Sequence, residues 1–244
     1  MSDCPYVSWR TAAVMTCVLL CTSLQARAQD LAGELSTLSL GGRLYDNHWA
    51  IVEREPPAER NPLYPAGPAV ATGETWRCVA CHGWDYRGRE GHLGRVSQLA
   101  VFASLRSSVG KPAGEIKAAL KSETHAAITS KLSETELEAL SLFISAGQHD
   151  TASDLKDGKS TGDATRGKDI FEGACVSCHQ ADGKAYIIGE PGDRPSLGWV
   201  AAHRPEQALH KIKNGVPGAD MLSLRFLMQE QLLDLLAYLQ TLEE

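Results

Sequence analysis

The sequence predicts an all-α fold made of two tandem helical domains, and three observations lead there. The pentapeptide C-x-x-C-H occurs twice, as Cys78-Val-Ala-Cys81-His82 and Cys175-Val-Ser-Cys178-His179. The stretches after the two copies align as an internal repeat with apolar residues at helical spacing. Between the halves, residues 150–163, DTASDLKDGKSTGD, are small, polar and without periodicity, which is the composition of a linker. A length of 244 residues fits one large domain or two small ones. Hydrophobic residues (43 %) and charged residues (22 %) are in ordinary globular proportion, so collagen-like and strongly disordered classes are excluded. Only 6 % of residues are aromatic, which makes a core of side chains alone thin for this length. A net charge of -6 and no Lys/Arg cluster argue against nucleic acid as a partner.

The first element is not part of this fold. Residues 11–24, TAAVMTCVLLCTSL, are one apolar run after Arg10, followed by the A-x-A signal Ala26-Arg27-Ala28. Fourteen residues are too few to span a bilayer, and the layout is that of a secretory signal peptide, 1–28, cut after Ala28. A lipid anchor on Cys21 is the alternative, disfavoured by the bulk of Leu20 before it. No later segment reaches 18 apolar residues, so the mature chain is expected to be periplasmic and without a transmembrane segment. The cut removes Cys4, Cys17 and Cys21 and leaves Cys78, Cys81, Cys175 and Cys178.

All four remaining cysteines belong to the two pentapeptides, and C-x-x-C-H is the attachment signature of a c-type haem. Two thiols three residues apart on a first helical turn reach the two vinyl groups on one porphyrin edge. The next residue then stands under the iron, which makes His82 and His179 the proximal ligands. A disulfide or a redox dithiol needs no following histidine, and a four-cysteine zinc site leaves both histidines unexplained. Two covalently bound haems are therefore predicted, and their apolar faces supply the missing core.

Electron-transfer haems take a second axial ligand, commonly Met or His. The mature chain holds only Met221 and Met228, both in the second half. Placing Met221 on His125 without gaps puts Met228 on Leu132, Leu233 on Leu137, Leu236 on Leu140 and Leu239 on Phe143. The interval from proximal histidine to candidate is 43 residues in the first copy and 42 in the second. Met221 follows the loop Gly215-Val-Pro-Gly218 and is preferred over Met228, which opens the last helix and reads as packing. For the first haem His125 is preferred; His48, His92, His149 and an open iron remain alternatives. Ser133-Glu-Thr-Glu136 reads as a capping box opening a helix, and Pro112 and Pro205 fit the first turns of helices before the ligand loops.

This layout resembles the class I c-type cytochromes, here as a tandem dihaem protein with domains at 29–149 and 164–244. Arg166-Gly-Lys-Asp-Ile-Phe171 looks like the family's N-terminal helix, and Pro195-Ser-Leu197 like its proline segment. The resemblance implies that the Pro195 carbonyl accepts from His179 Nδ1. The first half departs from the pattern. Gly41-Gly-Arg-Leu-Tyr45 looks like the same helix, but Cys78 follows Gly42 by 36 residues, whereas Cys175 follows Gly167 by 8. An insert at about 46–75, rich in proline, is expected to be an irregular, stiffened loop, and no proline matches Pro195. Trp49, Trp76 and Trp84 are expected to pack on haem or loop.

The function implied is electron carriage between a donor dehydrogenase and a downstream acceptor, a cytochrome or a terminal oxidase or reductase. Met/His ligation raises a potential relative to bis-His, so electrons enter at haem 1 and leave from haem 2. The alternatives are a dihaem oxidoreductase (peroxidase-like or sulfur-compound dehydrogenase-like) with haem 1 catalytic, and a cytochrome subunit of a larger enzyme.

Overall fold

The computed structural model describes residues 9–67, 70–185 and 195–244, with side chains from residue 25 onward. Cys4, Pro68 and the side chains of Arg10, Cys17 and Cys21, on which parts of the leader and insert readings rest, lie outside the described residues. The chain divides into two compact units, Met1–Thr37 and Leu38–Glu244. The first is helical in its described part, within α1 (Trp9–Ile51). Among the described residues no helix is long and apolar enough to cross a membrane.

The second unit is mostly helical. After the end of α1 come α2 (Cys78–His82), α3 (Ala113–Leu120), α4 (Glu123–Thr129), α5 (Glu134–Leu142) and α6 (Thr151–Asp154). A two-residue antiparallel ladder follows, β1 (Leu155–Lys156) against β2 (Lys159–Ser160). Then come α7 (Ala164–Ala174), α8 (Val176–His179), α9 (Leu197–His203), α10 (Pro205–Asn214) and α11 (Gln229–Leu239). The start signals act as read. Ser133 Oγ accepts from the Glu136 amide at 3.3 Å, and the Ser133 amide donates back to Glu136 Oε2 at 2.7 Å. Pro205 occupies the first turn of α10, whereas Pro112 is the residue just before α3. Each half has its own apolar cluster. Leu44, Tyr45, Tyr86, Leu140 and Phe143 centre the first, and Phe171, Leu209, Leu232, Leu235 and Leu236 the second.

The same crossing closes both clusters. A Cβ on Gly41 would lie 2.1 Å from the Ala139 carbonyl oxygen of α5, and one on Gly167 would lie 1.9 Å from the Asp234 carbonyl oxygen of α11. Only a residue without Cβ lets the helices approach this closely. Gly41 is therefore the counterpart of Gly167; Gly42, from which the insert was measured, faces the Asn214 side chain instead. Arg166 then clamps the second crossing, with Nε and Nη2 on the two carboxylate oxygens of buried Asp234 at 2.7 and 2.9 Å.

Two sequence expectations are corrected. Residues 46–51 stay in α1, so the irregular part of the insert starts after Ile51. It is pinned by Asn61 N–H to Thr75 Oγ1 at 3.0 Å and Trp76 Nε1–H to the Glu59 carbonyl at 2.8 Å. The polar stretch 150–163 is not a free linker. Asp150 pairs with Arg87 at 2.7 Å, Ser160 Oγ donates to the Leu233 carbonyl at 2.6 Å, and the Asp163 amide donates to Asp234 Oδ1 at 2.6 Å. The stretch is tied to α11 at Ser160 and Asp163, while most of its side chains stay exposed.

The halves also share buried polar groups. Asp46 pairs with Arg77 and, at 2.7 Å, with Lys211. Burial pushes its carboxyl up, but Lys211 and Arg77 outweigh burial and hold it below the usual carboxylate range. His210 Nε2 donates to the Gly42 carbonyl at 2.9 Å, so its Nδ1 is the acceptor for the Tyr86 hydroxyl at 2.7 Å. Tyr86 in turn accepts from His149 Nδ1 at 3.2 Å. Both histidines are thus neutral, and burial pushes His210 down to about 4 and His149 well below its ordinary value.

In the unfolded chain both histidines regain a pKa of about 6.5. The unfolded state then binds more protons between about 6.5 and about 4, so stability is lost as pH falls through that window. Thermal unfolding of the haem-loaded protein at pH 7.5 and pH 5, with His210→Gln as comparison, measures this. The wild-type midpoint should fall more than that of the variant.

Candidate functional site

The first motif forms α2, one turn of helix with Arg77 before it and Gly83 after it. Gly83 is held by the Tyr45 hydroxyl, which donates to its carbonyl at 2.5 Å, so α2 is tied to the core through the last turns of α1. The Cys78 and Cys81 thiols are free, and burial pushes both up to about 12. Cys175 is pushed up to about 11 for the same reason. Thiols so far above neutral pH lack the thiolate character of a redox dithiol. Among the described residues no group of three or more Cys, His, Asp or Glu gathers as a bare metal-ion site, which leaves the four-cysteine zinc reading without support.

His82 ends α2, and its Nδ1 lies 2.9 Å from the Ala103 carbonyl. That carbonyl is carried by a folded-back loop fixed by the Leu105 amide on the Tyr86 carbonyl at 2.8 Å and the Arg89 amide on the Phe102 carbonyl at 2.9 Å. Opposite stands His125 on α4, with Nδ1 3.3 Å from the Ala119 carbonyl. The two rings face each other with centroids 6.4 Å apart and planes 27° apart. A carbonyl only accepts, so each Nδ1 carries the proton and each Nε2 keeps its lone pair.

An iron fits this pair. Metal–nitrogen bonds of about 2.0 Å on both sides, plus ring radii of about 1.1 Å each, give about 6.2 Å between centroids. Rings at this centroid separation would hold one iron if both Nε2 atoms were turned towards it. The other candidates are placed elsewhere. His149 lies in the Tyr86 network, and His92 Nε2 pairs with Glu206 at 3.2 Å. His48 is buried against Trp49.

In the second half Cys175 follows α7, Cys178 and His179 lie on α8, and burial pushes His179 down. Its Nδ1 is buried, and the group beside it that opposes burial is the Ala185 backbone, so the contact expected from the Pro195 carbonyl is not made. Residues 186–194, which join α8 to Pro195, lie outside the described residues. Met221 is half-buried on the loop after α10. Gly215 starts that loop at φ +82°, and a Cβ there would meet the Met221 carbonyl oxygen at 2.6 Å. The loop is tied back by the Leu224 amide on the Ile212 carbonyl at 3.0 Å and Ser223 Oγ on the Lys213 carbonyl at 2.7 Å. Met228 is not core, as its alignment with Leu132 suggested; it is 66 % exposed just before α11. The two thiols and the imidazole of the second motif suit haem iron.

Sequence reasoning missed the Ala103 carbonyl. A main-chain acceptor has no side-chain signature, and the search was for a proline. It also missed Tyr86 and His210, which read as ordinary residues until the fold brings them together.

Comparison with known proteins agrees with this chemistry in the second half. Residues 164–243 match the family model of cytochrome c. The cytochrome bc1 complex cytochrome c subunit of Mycobacterium leprae (strain TN) is 28 % identical over 180 residues, which are 68 % of this chain. The matched region spans 58 % of that relative's length. Residues 164–243 are thus similar to cytochrome c, a family whose members carry a covalently bound c-type haem and transfer electrons.

Proposed function

We propose that the chain is a dihaem electron-transfer protein, with haem 1 on Cys78 and Cys81 between His82 and His125, and haem 2 on Cys175 and Cys178 between His179 and Met221. The observation that carries the first haem is the pair of opposed imidazoles at 6.4 Å, each with Nδ1 at a backbone carbonyl. Each haem supplies a one-electron ferric/ferrous couple. The protein's part is to saturate both irons, exclude substrate and set the two potentials apart. The thioether at haem 2 favours the ferrous state more than a second imidazole does, so electrons run from haem 1 to haem 2. The donor is a dehydrogenase or quinol-oxidising partner, and the acceptor a cytochrome or a terminal oxidase or reductase. The proposed setting is the periplasm, after removal of residues 1–28. The relative's name, a subunit of a cytochrome bc1 complex, favours a cytochrome that works within a larger assembly over a freely diffusing carrier.

Low-temperature electron paramagnetic resonance of the oxidised protein tests this reading directly. It should show one bis-His and one His/Met low-spin signal. A high-spin signal in the wild type, with rapid carbon monoxide binding at haem 1 after reduction, would overturn it in favour of an oxidoreductase with haem 1 catalytic. Intact mass should correspond to a chain beginning at Gln29 plus two haems that acid-acetone does not extract.

His125→Met should raise the potential of haem 1 towards that of haem 2 without unfolding the domain, because Met is flexible enough to fill the same loop. His125→Ala should leave a high-spin iron that binds cyanide quickly. Redox titration and stopped-flow absorbance read these two outcomes.

Met221→Ala should lower the potential of haem 2 and abolish its weak near-infrared sulfur-to-iron band. Met228→Ala should leave the band intact. The two spectra together show which sulfur is the ligand.

A further inference from the structure

One ring and one helix lead from the first C-x-x-C-H motif to the second. Trp84 follows His82 by two residues, and the Gly83 between them is fixed by the Tyr45 hydroxyl on its carbonyl. The Trp84 ring meets the His210 ring of α10 edge to face, with centroids 5.1 Å apart and planes 61° apart. The His210 ring is held at both nitrogens, Nε2 by the Gly42 carbonyl at 2.9 Å and Nδ1 by the Tyr86 hydroxyl at 2.7 Å. Any rotation of that ring breaks both bonds, so the contact with Trp84 is a fixed one.

The helix α10 has a second face. Leu209 and Ile212 are buried in the second apolar cluster, and Cys175 and Val176 pack against that cluster. On the other side Val79 belongs to the first cluster, and Cys78 and Trp84 pack against it. The two pairs of thiols are thus joined through Trp84 and a single helix, which is about 10–12 Å across with its side chains. The route from His82 runs along the chain to Trp84, crosses between two rings to His210, and continues through Leu209 into the packing around Cys175.

Two cations decide how such a ring can serve. Arg77 and Lys211 lie over Trp84, 6.0 and 5.4 Å from its centroid. A cation favours the electron-rich neutral ring and opposes a ring that has lost an electron. Trp84 is therefore a medium through which an electron passes and not a place where it stops.

We propose that Trp84 and His210 are the electron bridge between the two haems, and that Tyr86 is the residue that positions His210. This rests on the dihaem reading. In the step the iron of haem 1 goes from ferrous to ferric and that of haem 2 from ferric to ferrous. No proton moves, no bond forms or breaks, and neither ring changes its oxidation state.

The test uses the full haem-loaded chain. The haem content per chain comes first; a single haem would overturn the dihaem reading and the bridge with it. With two haems present, a light pulse reduces haem 1 while haem 2 is oxidised, and absorbance follows the step between them. In the wild type its rate should be independent of protein concentration. Trp84→Leu should slow it about tenfold, a change of about 1.4 kcal/mol in the barrier. Redox titration should find both potentials unchanged, which separates a lost bridge from a lost driving force. Trp84→Phe, which keeps an aromatic ring in the same place, should restore the wild-type rate. If Trp84→Leu fails to fold, His210→Gln carries the same expectation, because it removes the second ring and keeps an amide for Tyr86 and Gly42. An unchanged rate in the folded variants, or a wild-type rate that rises with protein concentration, would overturn the proposal.

Discussion

Asp46 is a carboxylate almost without exposure, and two cations from opposite halves meet on it. An ion pair buried this far repays its desolvation only if its geometry is held and its remaining lone pairs are used. Here Arg77 Nε also donates to the Asp46 main-chain carbonyl at 2.6 Å, and Trp84 lies beside both cations, 6.0 Å from Arg77 and 5.4 Å from Lys211. Arg77 is the residue before Cys78, and Lys211 lies on the helix that leads into the Met221 loop. One buried charge therefore sets where the first thiol pair begins and where the second ligand loop leaves its helix. Removing either cation would leave one oxygen of a buried carboxylate uncompensated rather than merely subtract a contact.

The end of α1 is the element through which this constraint spreads. Gly41, Leu44 and Tyr45 face the first core, whereas Ser39, Gly42 and Asp46 meet Ser223, Asn214 and Lys211 of the second half. Ala50 lies under Gly218. The helix is thus a shared wall with an apolar face and a polar one. This is why Leu38–Glu244 is one compact unit although its described residues form three apolar clusters.

Much of the chemistry was legible in the sequence because it is written in side chains at fixed spacing. The two pentapeptides, the capping box at Ser133 and the alignment of His125 with Met221 needed only periodicity and valence. The rings of His82 and His125 lie 6.4 Å apart, but the crossings of Gly41 on Ala139 and Gly167 on Asp234 pair the closing helices one residue away from that gap-free alignment. What was illegible is carried by the main chain or by close approach. The acceptor for His82 is the backbone of Ala103, and the crossing residue is Gly41 rather than its neighbour. The stretch 150–163 looked like a linker because its residues are polar. Its Ser160 side chain bonds the carbonyl of Leu233, and its main-chain amides at Ser160 and Asp163 bond the side chains of Gln240 and Asp234. Composition cannot distinguish a side chain that bonds water from one that bonds a helix.

The two crossings are not in the same register. From His125 to Ala139 there are 14 residues, and from Met221 to Asp234 there are 13. The first copy is also one residue longer between its motif histidine and its second-ligand position. The extra residue of the later interval is taken up before the closing helix, which starts nine residues after His125 and eight after Met221. The crossings are clamps. An added residue at 130–131 would leave α5 whole provided Leu132 kept its place in the first core. The same residue within α5 would rotate everything beyond it by about 100° and carry Phe143 away from Gly41. The closing helix can therefore start earlier or later along the chain, but it cannot gain a residue between its start and the place where it meets α1.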